Sequence, residues 1–312
     1  AYGRGGTRAT VTDANVVLSR LPVDTPLAGG VSLDAGAAER AVGALASELD
    51  LDPLACAEGI VRVAETEMRR ALAVMTVERG IDPRRFALMP FGGAGPLHAA
   101  AMAAELGIRR VLCPRSSGVL SALGLAAAAP RRDASSTVML AGTTLTNESI
   151  VRELTSLIAL AAGELDEPPT HVGVRYELRY RGQSFELTVR DEKPDPDRLR
   201  ESFERTHEQR YGYRDENAEV ELVTIRVSVL GRRPALRLVG AAPRRPVNDP
   251  TVTSVRWSGE WMETRLWRGE LPACTRVEGP ALCAMEDSTL LVPPGWGGVV
   301  DEHGTVVLER AR

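Results

Sequence analysis

The sequence predicts an α/β domain followed by an α+β module and a small β-rich end, and three observations carry that expectation. An apolar run of strand length at Phe86–Phe91 leads through glycines and a helical stretch to a second run at Arg109–Cys113, the order of a parallel α/β unit. Between Thr146 and Leu230 a helix, an alternating hairpin, a helix and an alternating strand follow one another, the order of an α+β module. Beyond Pro250 short apolar runs are broken by Gly and Pro, as in small β structures.

Taken in order, the first thirty residues are glycine-rich and irregular, and Asp13 is expected to cap a short helix. Asp34–Leu49 has amphipathic helical spacing. Asp52-Pro53 opens a long helix expected to reach about Arg79, where Gly80 stops it. Phe86–Phe91 is expected as a strand, Gly92–Gly95 as a tight turn, Pro96–Leu106 as a helix closed by Gly107, and Arg109–Cys113 as a strand stopped by Pro114. Short links between them imply a right-handed crossover and a parallel sheet. A helix over Gly118–Ala128 follows the Ser116-Ser117 start. Past Pro130 come a helix at Thr146–Glu164 and a hairpin at Val172–Arg190, with Tyr176, Leu178 and Tyr180 on one face and Gly182-Gln183 near the turn. A helix at Asp197–Tyr211, a strand at Val220–Leu230 and a Pro/Arg-rich linker at Pro234–Pro250 complete the pass. The expected regions are 1–135, 136–235 and 236–312, matching the about two domains that 312 residues suggest.

Composition narrows the function. Hydrophobic residues make up 44% and charged residues 26%, ordinary values for a folded chain. A formal charge of −4 and an aromatic content of 4% offer neither the electrostatics nor the stacking surfaces of a nucleic-acid binder. No apolar run approaches the ~18 residues of a membrane helix, and Gly118–Ala129 ends at Pro130. The basic pairs Arg131-Arg132, Arg232-Arg233 and Arg244-Arg245 each lie near a proline and read as solvated linkers. The four cysteines include no Cys-x-x-Cys pair and read as reduced, mostly buried thiols of a cytoplasmic protein.

Phe91-Gly-Gly-Ala-Gly-Pro-Leu-His98 is the strongest local motif. Glycines between strand and helix let the backbone approach a ligand, while the helix start presents free N–H groups to an anion. The same glycines could serve packing alone, and without the Lys-Ser/Thr of a P-loop no Walker-type cradle is possible. His98, one turn into the helix, reads as a hydrogen-bonded core residue or as a catalytic group. Asp13, in Thr10-Val-Thr-Asp-Ala-Asn15, reads as a helix cap, or as a general base toward water or a ligand of phosphate-bound Mg²⁺. Glu67 and Glu78 share one face of the expected long helix and Glu65 does not. Glu67 and Arg70 suit an ordinary i,i+3 ion pair on a solvated face. Cys113 has no local activating partner and reads as a core thiol.

Several segments together resemble the hydantoinase A/oxoprolinase family: Tyr2-Gly-Arg-Gly-Gly6, Thr10–Leu18, Val77-Glu-Arg-Gly80 with Asp82-Pro83-Arg84, Phe91–Ala99 and Gly118–Gly124. Arg179-Tyr-Arg-Gly-Gln183, His207–Tyr213, Glu278–Ala281 and Val292–Gly295 are similar to its C-terminal region. The resemblance implies half of an actin/hexokinase/Hsp70-like nucleotide-binding domain in an enzyme that spends ATP, with Mg²⁺, to open a cyclic amide. Relatives also form subunits of ATP-dependent ketone carboxylases. By the same resemblance Gly92, Gly93, Ala94 and Gly95 contact the nucleotide, and Asp13 and His98 are the candidate catalytic residues. Glu65 and Glu67 stand where relatives often carry amides. The family's first phosphate motif lies upstream of Ala1, so the chain is expected to start mid-family, to pair with the missing N-terminal half, and to join a hydantoinase B-type partner subunit in a hetero-oligomer.

Overall fold

The structure, a computed structural model, describes residues 1–191, 193–215, 217–236 and 249–311. In the N-terminal part, helices α1 (Val11–Val17), α2 (Ala35–Glu48) and α3 (Pro53–Met75) pack on one another around Ala14, Leu18, Val42 and Val61. Their starts are set by short polar side chains. Asp34 accepts from the Ala37 amide at 2.8 Å, and Asp52 accepts from Leu54 and Ala55 with Pro53 in the first turn, each cap contributing about 1 kcal/mol. The helix expected to reach Arg79 breaks at Thr76 into a 3₁₀ turn, Val77–Arg79, before Gly80 takes φ 72°. Glu78 therefore lies off the helix and shares no face with Glu67.

Helix α4 (Gly95–Glu105), strand β1 (Arg110–Cys113) and helix α5 (Leu120–Ala126) follow. The expected strand at Phe86–Phe91 reduces to a single parallel bridge. The Leu88 amide donates to Arg110 and its carbonyl accepts from Leu112, both at 2.9 Å. Pro90 has no N–H to extend the ladder, and Phe86 and Phe91 point outward, 58% and 61% exposed. The parallel sheet inferred from the strand, helix, strand order is thus replaced. β1 pairs antiparallel with the far end of the chain, over Arg110↔Glu309 to Cys113↔Val306.

The middle of the chain is β2 (Arg131–Ala141), α6 (Asn147–Gly163), β3 (His171–Tyr180), β4 (Leu187–Val189), α7 (Pro196–Tyr211) and β5 (Val220–Leu230). The strands form an antiparallel sheet in the order β2-β5-β3-β4, and α6 and α7 bury Ile150, Leu154, Leu157, Leu199 and Phe203 against it. The core face of β5 changes parity, from Val220 and Leu222 to Ile225, Val227 and Val229. The register shifts between Glu177 and Leu178 at that point, so one extra residue in β5 re-aims the strand. Arg131-Arg132, expected in a linker, open β2 instead: Arg131 pairs with Asp133 and Arg132 with Glu164. Pro130 ends the preceding segment without preventing a strand just after it, and the expected boundary at residue 135 falls inside β2.

The remainder carries β6 (Thr251–Trp257), β7 (Glu260–Arg268), β8 (Arg276–Glu278), β9 (Ala281–Ala284), β10 (Thr289–Val292), β11 (Trp296–Val300) and β12 (Val306–Arg310). They form two sheets, β1-β12-β11-β8 and β10-β9-β7-β6, with β7 and β9 parallel. Residues 237–248 of the expected linker, with Arg244-Arg245, lie outside the described residues. Two compact units result: residues 1–124 with the described part of 237–312, and residues 125–236. The C-terminal strands belong to the first unit, where Ala100, Val111, Val277, Leu290, Trp296 and Leu308 share one core.

Candidate functional site

The glycine motif folds as a clipped turn. Gly92 takes φ +83°, which its lack of a Cβ allows, and its amide donates to the Ser117 carbonyl at 2.7 Å. The Thr289 amide donates to the Gly93 carbonyl at 3.3 Å, tying the turn to the start of β10. Gly118 is held for a steric reason, since a Cβ there would sit 2.0 Å from the Asp287 carbonyl oxygen. Gly93 is different. A Cβ would meet the Asp287 carbonyl at 3.4 Å, ordinary contact, so the fold does not demand glycine there. Helix α4 then starts with Ala94 as its N-cap, whose side chain caps nothing, and Pro96 in the first turn. Of its first amides Gly95 donates to the Gly92 carbonyl and Leu97 to the Ala94 carbonyl, both at 3.1 Å, and Pro96 has none, so what the helix start offers an anion is the positive end of its dipole.

Beside this helix start lies a cavity of about 440 Å³, wholly within the first unit. Gly93, Ala94 and His98 line one side, Thr12 and Asn15 of α1 another, the loop through Pro22, Pro26 and Leu27 a third, and Asp287 and Ser288 a fourth. The structure thus brings Gly93, Ala94 and His98 together on one wall, while Gly92 and Gly95 shape the turn behind them.

His98 is 4% exposed, and its Nδ1 lies 3.0 Å from Oε1 of Glu65, reaching across from α3. Glu65 thereby leaves the solvated-face reading that suits Glu67, whose carboxylate meets Arg70 at 3.1 Å on exposed surface. A histidine on a cavity wall with a carboxylate behind it has a fixed ring orientation and can hold or pass a proton there.

Asp13 is buried but does not line the cavity. It is also not the cap of α1. Thr10 is the N-cap and Asp13 the third helical residue of a capping box, with Oδ2 accepting from the Thr10 amide at 2.8 Å and hydroxyl at 2.6 Å. Its Oδ1 accepts from the amino group of Ala1. Burial pushes the carboxyl upward, but these hydrogen bonds outweigh it and hold the group below its ordinary value.

Two of the residues that line the cavity each carry a buried oxygen without a hydrogen-bond partner, Oδ1 of Asn15 and Oδ1 of Asp287, and both oxygens are closed off from solvent. Asn15 is 1% exposed, and its Nδ2 donates to the Val11 carbonyl at 3.0 Å, which orients the amide. An unmade buried acceptor costs about 1–3 kcal/mol. Behind this wall the Ser117 and Ser288 hydroxyls meet at 2.8 Å, and Cys113 donates to Ser117 at 3.8 Å. Burial pushes the Cys113 thiol up to about 12, so it stays a protonated core thiol as the sequence suggests. Among the described residues no group of three or more His, Cys, Asp and Glu is placed to hold a metal, and no helix is long and apolar enough to cross a membrane.

Sequence reasoning missed Asp287 and gave Asn15 no role. Asn15 stands in the quoted Thr-Asp-Ala-Asn motif. Asp287 sits in a turn between β9 and β10, and no local pattern links it to residues far earlier in the chain. The motif His207–Tyr213 has a structural use in the second unit. His207 is 1% exposed, lies 2.9 Å from the Tyr213 carbonyl through Nδ1 and 3.3 Å from Gln183 through Nε2, and is surrounded by Tyr180, Phe203, Tyr211 and Tyr213.

Known proteins with the same pattern share both units. Residues 1–134 match the hydantoinase/oxoprolinase family and residues 152–311 its C-terminal domain. An uncharacterised protein of Methanocaldococcus jannaschii is 35% identical over 314 residues, covering 99% of this chain and 46% of that protein. The caprolactamase subunit alpha of Pseudomonas jessenii is 31% identical over 331 residues, covering 98% and 47%. The crystal structure of the ATP-dependent caprolactamase from the same organism superposes with a TM-score of 0.68 at 28% identity, covering all of this chain and 48% of that one. Nucleotide-free acetone carboxylase shares the fold, with a TM-score of 0.78 at 22% identity over 99% of this chain and 48% of that one. The chain spans about half the length of these relatives.

Proposed function

This chain belongs to the hydantoinase/oxoprolinase family, and on that premise we propose that it carries part of an ATP-dependent enzyme that hydrolyses a cyclic amide. The observation that carries the reading is the placement of Gly93, Ala94 and His98 on one cavity wall at the uncapped start of α4. The relative that supports the substrate class is the caprolactamase alpha subunit. A glycine that the fold does not demand, beside open volume at the start of α4, fits the close approach of a nucleotide.

In this reading the backbone at Gly92–Gly95 holds the nucleotide. When bound, ATP would supply a phosphoryl group to the amide oxygen, which activates the carbonyl carbon toward water so that the C–N bond can break, the ring nitrogen leaving as the amine and the phosphate being released by hydrolysis. Mg²⁺ arrives with the phosphates. His98, oriented by Glu65, holds or passes a proton at its ring nitrogen on the cavity side. Asp13 acts from the first turn of α1, beside Thr12. For its carboxylate to meet water or metal, its bonds from the Thr10 amide and hydroxyl must give way. A hydantoinase B-type subunit and the region matching the rest of the relatives complete the machine, in line with the subunit naming of caprolactamase.

Calorimetric titration of the chain with Mg·ATP tests the nucleotide site. Heat at micromolar affinity that is lost in Gly93→Val supports it, and no heat from a folded chain, with or without the upstream half supplied in trans, overturns it. In the complete enzyme Asp13→Asn should abolish turnover while ATP affinity persists, and normal turnover would remove Asp13 from the site. ATP consumption that requires bicarbonate and a ketone instead of a lactam would replace hydrolysis by carboxylation.

A further inference from the structure

The sheet of the second unit leaves part of one strand edge open. Strand β3 pairs with β5 along its whole length, from His171↔Leu230 to Tyr180↔Val220. On its other side β4 covers only residues 176–178, through Tyr176↔Val189 to Leu178↔Leu187, and the chain then leaves the sheet toward α7. Among the described residues no strand pairs with residues 171–175 on that side. Alternate backbone N–H and C=O groups of this stretch therefore lack a sheet partner there. A cleft of about 990 Å³ lies beside them, wholly within the second unit.

The two sides of this cleft differ in chemistry. Leu154 and Ile158 of α6, with Val172 and Val174 of β3, make one side apolar. Arg175 alternates with those valines and so points to the opposite face of the strand. Of the cations along the cleft, Arg131 is already neutralised by Asp133 at 2.8 Å and Arg198 by Asp191 at 3.2 Å. Arg175, Arg190 and Lys193 make no ion pair or side-chain hydrogen bond among the described residues. The Asp133 carboxylate, on the same face as Arg175, is taken by Arg131 and Ser228.

An open edge is a template for another strand, and charge on it decides which strand can approach. A second copy of this chain would bring the same cations against themselves, which opposes pairing of two such edges. A small anion would meet the cations and leave the backbone groups and the apolar side unused. An extended chain with carboxylates on one face and apolar side chains on the other answers all three features.

We propose that residues 171–175 of β3 accept an added strand from another protein, an extended acidic segment whose carboxylates meet Arg175, Arg190 and Lys193 and whose apolar side chains lie toward Leu154 and Ile158. Main-chain hydrogen bonds supply the affinity, and the cations choose the partner. The edge spans about 17 Å, the length of roughly five extended residues. The inference concerns the second unit alone and does not depend on the cavity beside α4.

The test uses the full chain and three fluorescent heptapeptides, followed by anisotropy. They are Glu-Val-Glu-Val-Glu-Val-Glu, its counterpart with lysine for glutamate, and the acidic sequence with its backbone amides N-methylated. The acidic peptide should bind about tenfold or more tightly than either of the others. It should lose about tenfold in affinity for the double variant Arg190→Glu, Lys193→Glu, two exposed positions whose change should leave the circular dichroism spectrum intact. In the complex, alternate amides within residues 171–175 should exchange more slowly with deuterium. Equal binding of the two charges, no binding of any peptide, affinity that survives the charge reversal, or unchanged amide exchange overturns the proposal. Unchanged binding of the N-methylated peptide also overturns it and identifies the cleft as a plain anion basin.

Discussion

Two buried histidines divide the molecule into a region that keeps chemistry available and one that has used it up. His98 in the first unit and His207 in the second are 4% and 1% exposed, both on helices and both within stretches that match the family and its C-terminal domain. His207 has both ring nitrogens engaged and aromatic rings around it, so all of its capacity goes into packing. His98 has a carboxylate on one side and a cavity on the other. Burial and residue type are the same. What differs is whether the neighbours leave space and an unfilled hydrogen bond, and a site requires both.

That contrast can be broken by experiment, starting where the largest effect is expected. His207→Ala empties an aromatic cluster and frees two buried partners, and should cost about 3 kcal/mol in urea unfolding while Mg·ATP heat is unchanged. A matching loss of nucleotide heat would show that the second unit is no bystander. Gly118→Ala forces a Cβ against the Asp287 carbonyl and should cost about 1–3 kcal/mol, read as a lower melting temperature. Because Asp287 borders the cavity, ligand affinity should fall with it, which sets this variant apart from His207→Ala. His98→Gln keeps a polar side chain of similar reach, and should change stability by about 1 kcal/mol or less while the complete enzyme slows by about a hundredfold. Unchanged turnover would return His98 to the category of His207.

Smaller effects sharpen the first unit. Asp13 has a carboxyl held below its ordinary 3.8, so its contribution is full above that value and is lost as pH falls through the lower, folded one. Asp13→Asn should cost about 1 kcal/mol near neutral pH and flatten that acid limb of the stability curve, as followed by denaturant midpoints from pH 6 downward. The thiols give the mildest test. Cys274 is exposed while Cys56, Cys113 and Cys283 are buried, all three with thiols raised by burial, so a native chain should label quickly at one cysteine and at all four when unfolded. All four cysteines lie in the first unit. Labelling of Cys113 or Cys283 in His207→Ala would therefore report that damage in the second unit opens the first.

The elements whose boundaries depend on local chemistry were legible from residues alone. Asp34, Asp52 and the 3.6-residue spacing announce α2 and α3, and Gly92–Gly95 before an alanine-rich stretch announces the turn and α4. The alternation of β3 and β5 is likewise visible, because one face of each strand is buried by helices. Family membership was carried by ordered motifs, several of which mark turns and close approaches where few residue types fit.

Other features were decided only by tertiary contact. Strand β2 begins with Arg131-Arg132-Asp133 and has little strand character of its own. It exists because β5 offers an edge for it to pair with, over Arg131↔Leu230 to Ala141↔Glu221. The partner of β1 is likewise nearly two hundred residues away, and a strand's pairing direction is not written in its own composition. The cavity follows the same rule. Gly93 and His98 declare themselves in one motif, but Glu65, Asn15 and Asp287 reach the site from α3, α1 and a β-turn. Sequence by itself determined the helices, the turn and the family, because those rest on interactions within a few residues. Only the tertiary structure decided which residues border the cavity, because a cavity is a property of everything packed around it.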